Sequence, residues 1–439
     1  MLLKEVQKMR ASFHTLGCRL NQAETAIIAK SVKKAGFEIV EFGQPADLTV
    51  INTCTVTEQA DAKCRQAVRK TLRQSPDTFV AVIGCYAQMA VDSIKQIKGI
   101  DLIIGNDQKL SLVEYLNGLV KNSEPLVVYS PKIGREEFVI ENYGLYDNTT
   151  RANLKIQDGC NFVCNFCIIP TARGPARSRK LPDIIREAEK LVELGHREIV
   201  LTGVNIGTYS TGQHGIMDVL LTLEKIDGLD RLRVSSIEPT TIPEEMIRHI
   251  AASDKICNYL HIPMQSGDDR ILASMRRKYT AAEFAKFIEF VYQTIPDVGI
   301  GTDVMTGYPG EDETAFVNTK KILADLPITY YHVFTYSDRK GTGSNKMPGK
   351  VAEQIKKQRT RILTEQGKRK KYAYSESFIG RTLPVLFEQQ QKNGTWTGHS
   401  TNYLNIETYS TEDLHNRIRA VQLKAADEKR VVGELIDVG

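Results

Sequence analysis

The stretch 157–174, QDGCNFVCNFCIIPTARG, sets Cys160, Cys164 and Cys167 in the spacing C-x3-C-x2-C. It follows the strand-like run NLKI (153–156), which begins a series of alternating strands and helices. Structural zinc prefers four protein ligands, usually as paired C-x2-C units. Only one such unit is present, with the third cysteine four residues upstream. A cubane iron–sulfur cluster takes one thiolate per iron. Three protein thiolates leave one iron open to an outside ligand, and Phe162 and Phe166 are placed to shield the cluster. Ligand count and spacing favour a cluster over zinc.

Downstream, strand-like runs recur at 197–203, 231–237, 259–264, 299–307 and 329–337, with helical stretches between most of them. At least six βα units predict a full or partial parallel barrel over 151–375. Polar residues gather where those strands end: Thr202 and Asn205, Ser236 and Glu238, Gln265, Asp303. In a barrel that rim holds the active site.

Upstream, residues 10 to about 125 alternate in the same way and predict an open parallel α/β sheet, the first domain being 1–125. Cys18, Cys54 and Cys85 each close a predicted strand there, at the edge where open sheets gather ligands, so the three can converge on one crevice. Cys64, on a helix, reads as an ordinary thiol, and Cys257 as a small buried apolar residue. The pattern weakens over 126–150, which reads as a linker. From 376 to 439 short strands with Gly, Asn and Thr turns predict a small β-barrel containing Trp396, expected in its core, with Tyr403 nearby.

Hydrophobic residues at 41% and charged residues at 25% suit a globular protein, and no apolar run approaches a membrane span. MLLKEVQKMR does not read as a signal peptide, and Met9 is a second candidate start. A cytoplasmic location is the expectation, in which eight cysteines serve as ligands or buried thiols rather than disulfides. The net charge of +5 decides little, but nine Lys or Arg between Lys350 and Lys371 face only Glu353 and Glu365. That block is either a solvated helix face or a phosphate-contacting surface. Beside it, a small barrel makes nucleic acid a sensible partner.

C-x3-C-x2-C with an aromatic before the last cysteine, after the first strand of a βα series, resembles the radical S-adenosylmethionine enzymes. More narrowly, the chain is similar to the methylthiotransferases. The resemblance is carried by CNFCIIPTARGPARSR (164–179), LTGVNIGTY (201–209), SSIEP (235–239), LHIPMQSGDDRIL (260–272), MRRKYT (275–280), TDVMTGYPGE (302–311) and FTYSDRKGT (334–342). TLGCRLNQAE (15–24), INTCTV (51–56) and IGCYAQ (83–88) extend it to the first domain, and GHSTNY (398–403) resembles the RNA-binding TRAM domain. It implies two [4Fe–4S] clusters, one on Cys160, Cys164 and Cys167 and an auxiliary one on Cys18, Cys54 and Cys85. It also implies S-adenosylmethionine, cleaved to a 5′-deoxyadenosyl radical, held near Phe166, Thr202, Gly203, Asn205, Ser236, Glu238 and Gln265. Arg173, Arg177 and Arg179 would pair with the cofactor carboxylate or RNA phosphates. Asp303 and Tyr308 would lie near the substrate, Tyr308-Pro309-Gly310 being most simply a turn that shapes the pocket. Glu238 reads equally as an N-cap or ion-paired acid.

HTLGCRLNQ, CIIPTARGPARSR and TGVNIGTY lean toward the branch acting on threonylcarbamoyladenosine at tRNA position 37, despite Thr171 where a tyrosine is usual and Cys64 where a small hydroxyl residue is common. A monomer reduced by a flavodoxin or ferredoxin is expected. Three readings stay open beside it: an isopentenyladenosine tRNA branch, a ribosomal-protein aspartate branch, and a non-catalytic iron–sulfur RNA-binding or electron-transfer protein.

Overall fold

The computed structural model describes residues 8–121, 123–146 and 149–436. Part of the MLLKEVQKMR segment and the final residues of the third expected domain lie outside the described residues. The first domain is a six-stranded parallel sheet: β1 Arg10–Thr15, β2 Glu38–Val40, β3 Leu48–Thr53, β4 Phe79–Gly84, β5 Leu102–Ile104 and β6 Leu126–Val128, in the order β2-β1-β3-β4-β5-β6. β3 and β4 are buried along their whole length, as central parallel strands covered on both faces must be. The helix Arg19–Lys34 covers one face through Ile28 and Val32. The helix Glu58–Gln74, begun by Thr57 whose side chain accepts from Ala60 N, covers the other through Val68. Cys64 is buried in that second layer.

The stretch expected as a linker is more ordered than that word implies. β6 adds an edge strand to the first sheet, pairing Leu126 with Leu102. The remainder is tied to both neighbours: Leu145 N donates to Ala26 O, and Ile140 N to Asp183. Its weak periodicity reflects scattered contacts to two domains rather than freedom from them.

The second domain holds β7 Arg151–Lys155, a short pair β8 Gln157–Asp158 and β9 Arg177–Ser178, then β10 Glu198–Thr202, β11 Arg231–Val234, β12 Tyr259–His261, β13 Gly299–Thr306 and β14 Tyr330–Thr335. β7, β10 and β11 form one parallel sheet and β12, β13 and β14 another. The bridges Leu232–Ile256 and Ser236–His261 join them. The result is a six-stranded partial barrel, each strand falling on an expected run, around the largest apolar core of the molecule.

The helix Glu353–Glu376 leads to a closed barrel of β15 Thr382–Gln390, β16 Thr395–Ser400, β17 Asn405–Tyr409, β18 Ile418–Ala426 and β19 Val431–Leu435. Trp396 is in its core. Much of the basic block on that helix is spent internally. Arg359 is buried on Glu311, Lys356 pairs with Glu353, and Lys370 donates to the carbonyls of Leu323, Ala324 and Leu326. Among the described residues no helix is long and apolar enough to cross a membrane.

Candidate functional site

Cys18, Cys54 and Cys85 leave three adjacent strands at one edge of the first sheet. The register aligns Thr15 with Asn52 and Thr53 with Gly84, so the chain ends carrying the cysteines emerge side by side. Gly17 has φ +105°, and a Cβ on it would stand 2.7 Å from Cys54 Cβ. Only glycine lets the β1 turn lie this close to the second cysteine. Burial pushes the Cys54 thiol up to about 11, and Cys85 and Cys18 add to the effect.

Cys160, Cys164 and Cys167 occupy one loop after β8. Gly159 turns the chain at φ +69°, where a Cβ would overlap the carbonyl oxygen of Pro175. Gln157 pins the turn: its Nε2 donates to Gly159 O, and its Oε1 accepts from Val204 N and Asn205 N. Phe162 N lies 3.4 Å from Cys160 Sγ, and Cys167 N donates to Cys164 O. Burial, with the other two thiols adding, raises Cys167 to about 12. Among the described residues no three His, Cys, Asp or Glu side chains are gathered tightly enough to grip a single ion. By donor chemistry alone, three thiols match three of the four irons of a cubane cluster.

Arg277, which the sequence reading does not single out, sits against this loop. Its Nη1 lies 3.3 Å from Cys164 Sγ and donates to Glu238 Oε1 at 3.1 Å, while Nη2 pairs with Glu238 Oε2. Tyr279 Oη accepts from Arg277 as well. The available signal was MRRKYT itself, but nothing in it says which arginine turns inward. Glu238 is thus ion-paired beside the cysteines, and although it holds the N-cap position of the turn Pro239–Thr241 its side chain makes no capping hydrogen bond there.

The strand ends carry unfilled polar atoms. Thr202 Oγ1, Asn205 Nδ2 and Ser235 Oγ are buried without partners. Such groups are costly unless a ligand or water meets them. Asn205 Oδ1 is used, accepting from Glu238 N and Thr241 Oγ1. A Cβ on Gly203 would crowd Gln157 and Ile206. Gln265, at φ +68°, is held in the sheet by its backbone to Asp303 and Met305. Phe166 packs edge-on to Tyr308.

A cavity of about 800 Å³ joins the domains. Cys18, Arg19 and Cys54 line one wall, and Thr202, Gly203, Ser236, His261, Asp303 and His332 another. Lys371, His399 and Tyr403 close it from the last helix and barrel. Asp303 Oδ1 pairs with His261 Nε2 at 3.0 Å. Tyr403 stacks on Tyr259 at 4.6 Å, with Arg233 4.9 Å above its ring, and accepts from Arg19. Arg19, His261 and Tyr403 acquire meaning only from this three-domain junction.

Four expectations are corrected. Arg173 is 1% exposed and spent on Glu24 and Asp158, so no RNA phosphate reaches it. Arg177 lies between Asp107 and Asp158, and Arg179 is buried on Asp183 and Glu187. Tyr308 is wholly buried, donating to Ser274 O, and supports the cysteine loop through Phe166 rather than meeting substrate.

The family described as uncharacterized protein family UPF0004 matches residues 10–105, and the radical SAM superfamily matches residues 154–323. The chain is 36% identical to a threonylcarbamoyladenosine tRNA methylthiotransferase of Bacillus subtilis, covering 97% of this chain and 96% of that one. It is 29% identical to a tRNA-2-methylthio-N(6)-dimethylallyladenosine synthase of Clostridium perfringens, over 96% and 97%. In fold it is similar to a radical S-adenosylmethionine methyltransferase of Kitasatospora setae solved with cobalamin and a [4Fe–4S] cluster, with TM-score 0.55, 13% identity and 77% of each chain covered.

Proposed function

Since this chain belongs to the tRNA methylthiotransferases of the radical S-adenosylmethionine superfamily, we propose that it converts N6-threonylcarbamoyladenosine at tRNA position 37 to its 2-methylthio derivative. The family's cofactors are [4Fe–4S] clusters and S-adenosylmethionine. We assign one cluster to Cys160, Cys164 and Cys167 and the auxiliary one to Cys18, Cys54 and Cys85, the donor sets that fit them. When bound, these groups supply the radical and sulfur chemistry that no side chain here can.

The protein's own part is placement. Thr202 Oγ1, Asn205 Nδ2 and Ser235 Oγ are buried polar atoms without partners at the strand ends of the barrel. The cavity brings Cys18 and Cys54 of the auxiliary trio and the barrel rim to one space, and this carries the reading. Its cations favour the threonylcarbamoyl branch: among the described residues, neither Arg19 nor Lys371 has an acidic partner, and both line the cavity. A threonine carboxylate is the ion they lack, whereas a dimethylallyl group offers only hydrocarbon. The closed C-terminal barrel and the cations Lys357, Arg361 and Arg369 of the helix before it serve as the RNA-facing surface, and a flavodoxin or ferredoxin supplies electrons.

Nucleoside mass spectrometry of tRNA from a strain lacking this gene tests the substrate. Loss of the methylthio-threonylcarbamoyl nucleoside, with the dimethylallyl derivative intact, is expected. Its persistence refutes the assignment.

A further inference from the structure

Between the two cysteine sites lies a knot of buried charge that the proposed reaction leaves unused. Lys109 Nζ donates to Glu24 Oε2 at 2.5 Å. Lys155 Nζ donates to Glu24 Oε1 and Asp158 Oδ2, both at 2.8 Å. Arg173 donates to both Glu24 oxygens, at 2.9 and 3.0 Å, and to Asp158 Oδ1 at 2.9 Å. None of the five side chains is more than 4% exposed. Three cations therefore share two carboxylates. At the less buried rim, Arg177 and Asp107 add one charge of each sign and leave the imbalance standing. An uncompensated interior charge is strongly unfavourable, so a fold that keeps one has a partner for it.

The excess cation faces the first cysteine site through two asparagines. Arg173 Nη2 donates at 2.6 Å to Asn21 Oδ1, which Cys18 Sγ also approaches, at 3.8 Å. Lys109 donates at 2.8 Å to Asn106 Oδ1, and the Nδ2 of the same amide lies 3.5 Å from Cys85 Sγ. At Asn106 the cation on the amide oxygen strengthens an N–H that faces Cys85, whereas at Asn21 it is the oxygen that faces Cys18 and Nδ2 donates to Leu16 O and Thr53 O. At the other site Arg277 beside Cys164 is matched by Glu238.

We infer that this network is built one negative charge short, and that the thiolates of Cys18, Cys54 and Cys85 complete it when they hold their cluster. The inference rests on assigning the auxiliary cluster to those cysteines. Lys109 and Arg173 are then positioning residues with an electrostatic effect. The reduced cluster carries one more electron than the oxidised one, so a nearby buried cation favours reduction and raises the potential.

Full-length protein reconstituted with iron and sulfide, carrying Cys160→Ala, Cys164→Ala and Cys167→Ala to silence the other signal, is followed by EPR-monitored redox titration. Lys109→Met removes a cation and is expected to lower the potential. Glu24→Gln removes an anion and is expected to raise it. The double variant restores the balance and returns the potential toward its starting value, and Lys109→Arg leaves it near there. Arg177→Gln, at the rim, gives a smaller downward shift and serves where a deeper variant does not fold. Potentials that stay put, or that move the same way in Lys109→Met and Glu24→Gln, overturn the inference. No cluster signal in the starting protein overturns the cluster assignment instead, and iron per chain separates the two failures.

Discussion

The two cysteine trios solve the same ligand problem in opposite ways. Cys160, Cys164 and Cys167 share one loop, shaped by Gly159 and by hydrogen bonds that the loop makes to itself and its neighbours. Cys18, Cys54 and Cys85 share nothing in sequence, and only the parallel register of β1, β3 and β4 unites them. The first site is local and the second is a property of a whole sheet. The two are therefore separable by substitution, and separating them gives the largest expected effect. Cys164→Ala is expected to abolish both S-adenosylmethionine cleavage and methylthio product. Cys54→Ala is expected to keep the cleavage and lose the methylthio product, each variant retaining about half of the roughly eight irons of two cubanes. Measuring 5′-deoxyadenosine, iron and modified nucleoside together checks this. If Cys54→Ala also stops cleavage, the two sites are not independent.

The same contrast explains what the sequence makes legible. The loop motif is readable because its spacing encodes its geometry. The auxiliary trio is readable at one remove, since strand ends in a parallel α/β sheet share an edge whatever their separation. The partial barrel is legible because its six strands fall on strand-like runs with helical stretches between most of them. Arginine fates are not legible. Arg173 meets Glu24, 149 residues away, and a guanidinium suits a buried carboxylate as well as a phosphate. Tyr308 looks like a rim residue because it follows β13, yet its ring is wholly buried, facing Tyr336 and Phe166. The cavity is beyond sequence reading altogether, because its walls come from three domains.

A second test bears on how each trio is supported. Arg277 reaches Cys164 Sγ directly and is held by a two-pronged contact to Glu238. Lysine cannot reproduce that fork. Arg277→Lys is expected to weaken cluster retention or activity by about 10- to 100-fold, the usual range for partners of ligating groups. The effect should fall on the Cys160 site alone, so Cys18-site iron and its spectrum stay unchanged. Equal loss from both sites would show that Arg277 holds the fold rather than the loop.

The smallest effect concerns the seam between the partial barrel and the C-terminal barrel. Arg233 pairs with Glu198 at 2.7 and 3.3 Å and also donates to Thr401 O and Ser400 O of the last domain. Despite the opposing effect of burial, that guanidinium, with help from Arg151 and Arg231, lowers the Glu198 carboxyl to about 2 from an ordinary 4.5. In the unfolded chain the carboxyl takes up its proton near 4.5, and in the folded chain only near 2. Its contribution is therefore complete above about pH 4.5 and drains away as the pH falls toward 2. At about 1.4 kcal/mol per pKa unit the total is about 3 kcal/mol. Urea unfolding of metal-free protein at successive pH values is expected to show this acid-side decline. In Glu198→Gln the baseline is lower, because Arg233 stays buried without its carboxylate, and that part of the pH dependence is absent. An unchanged acid slope in the variant would mean that the seam is held by the backbone carbonyls alone.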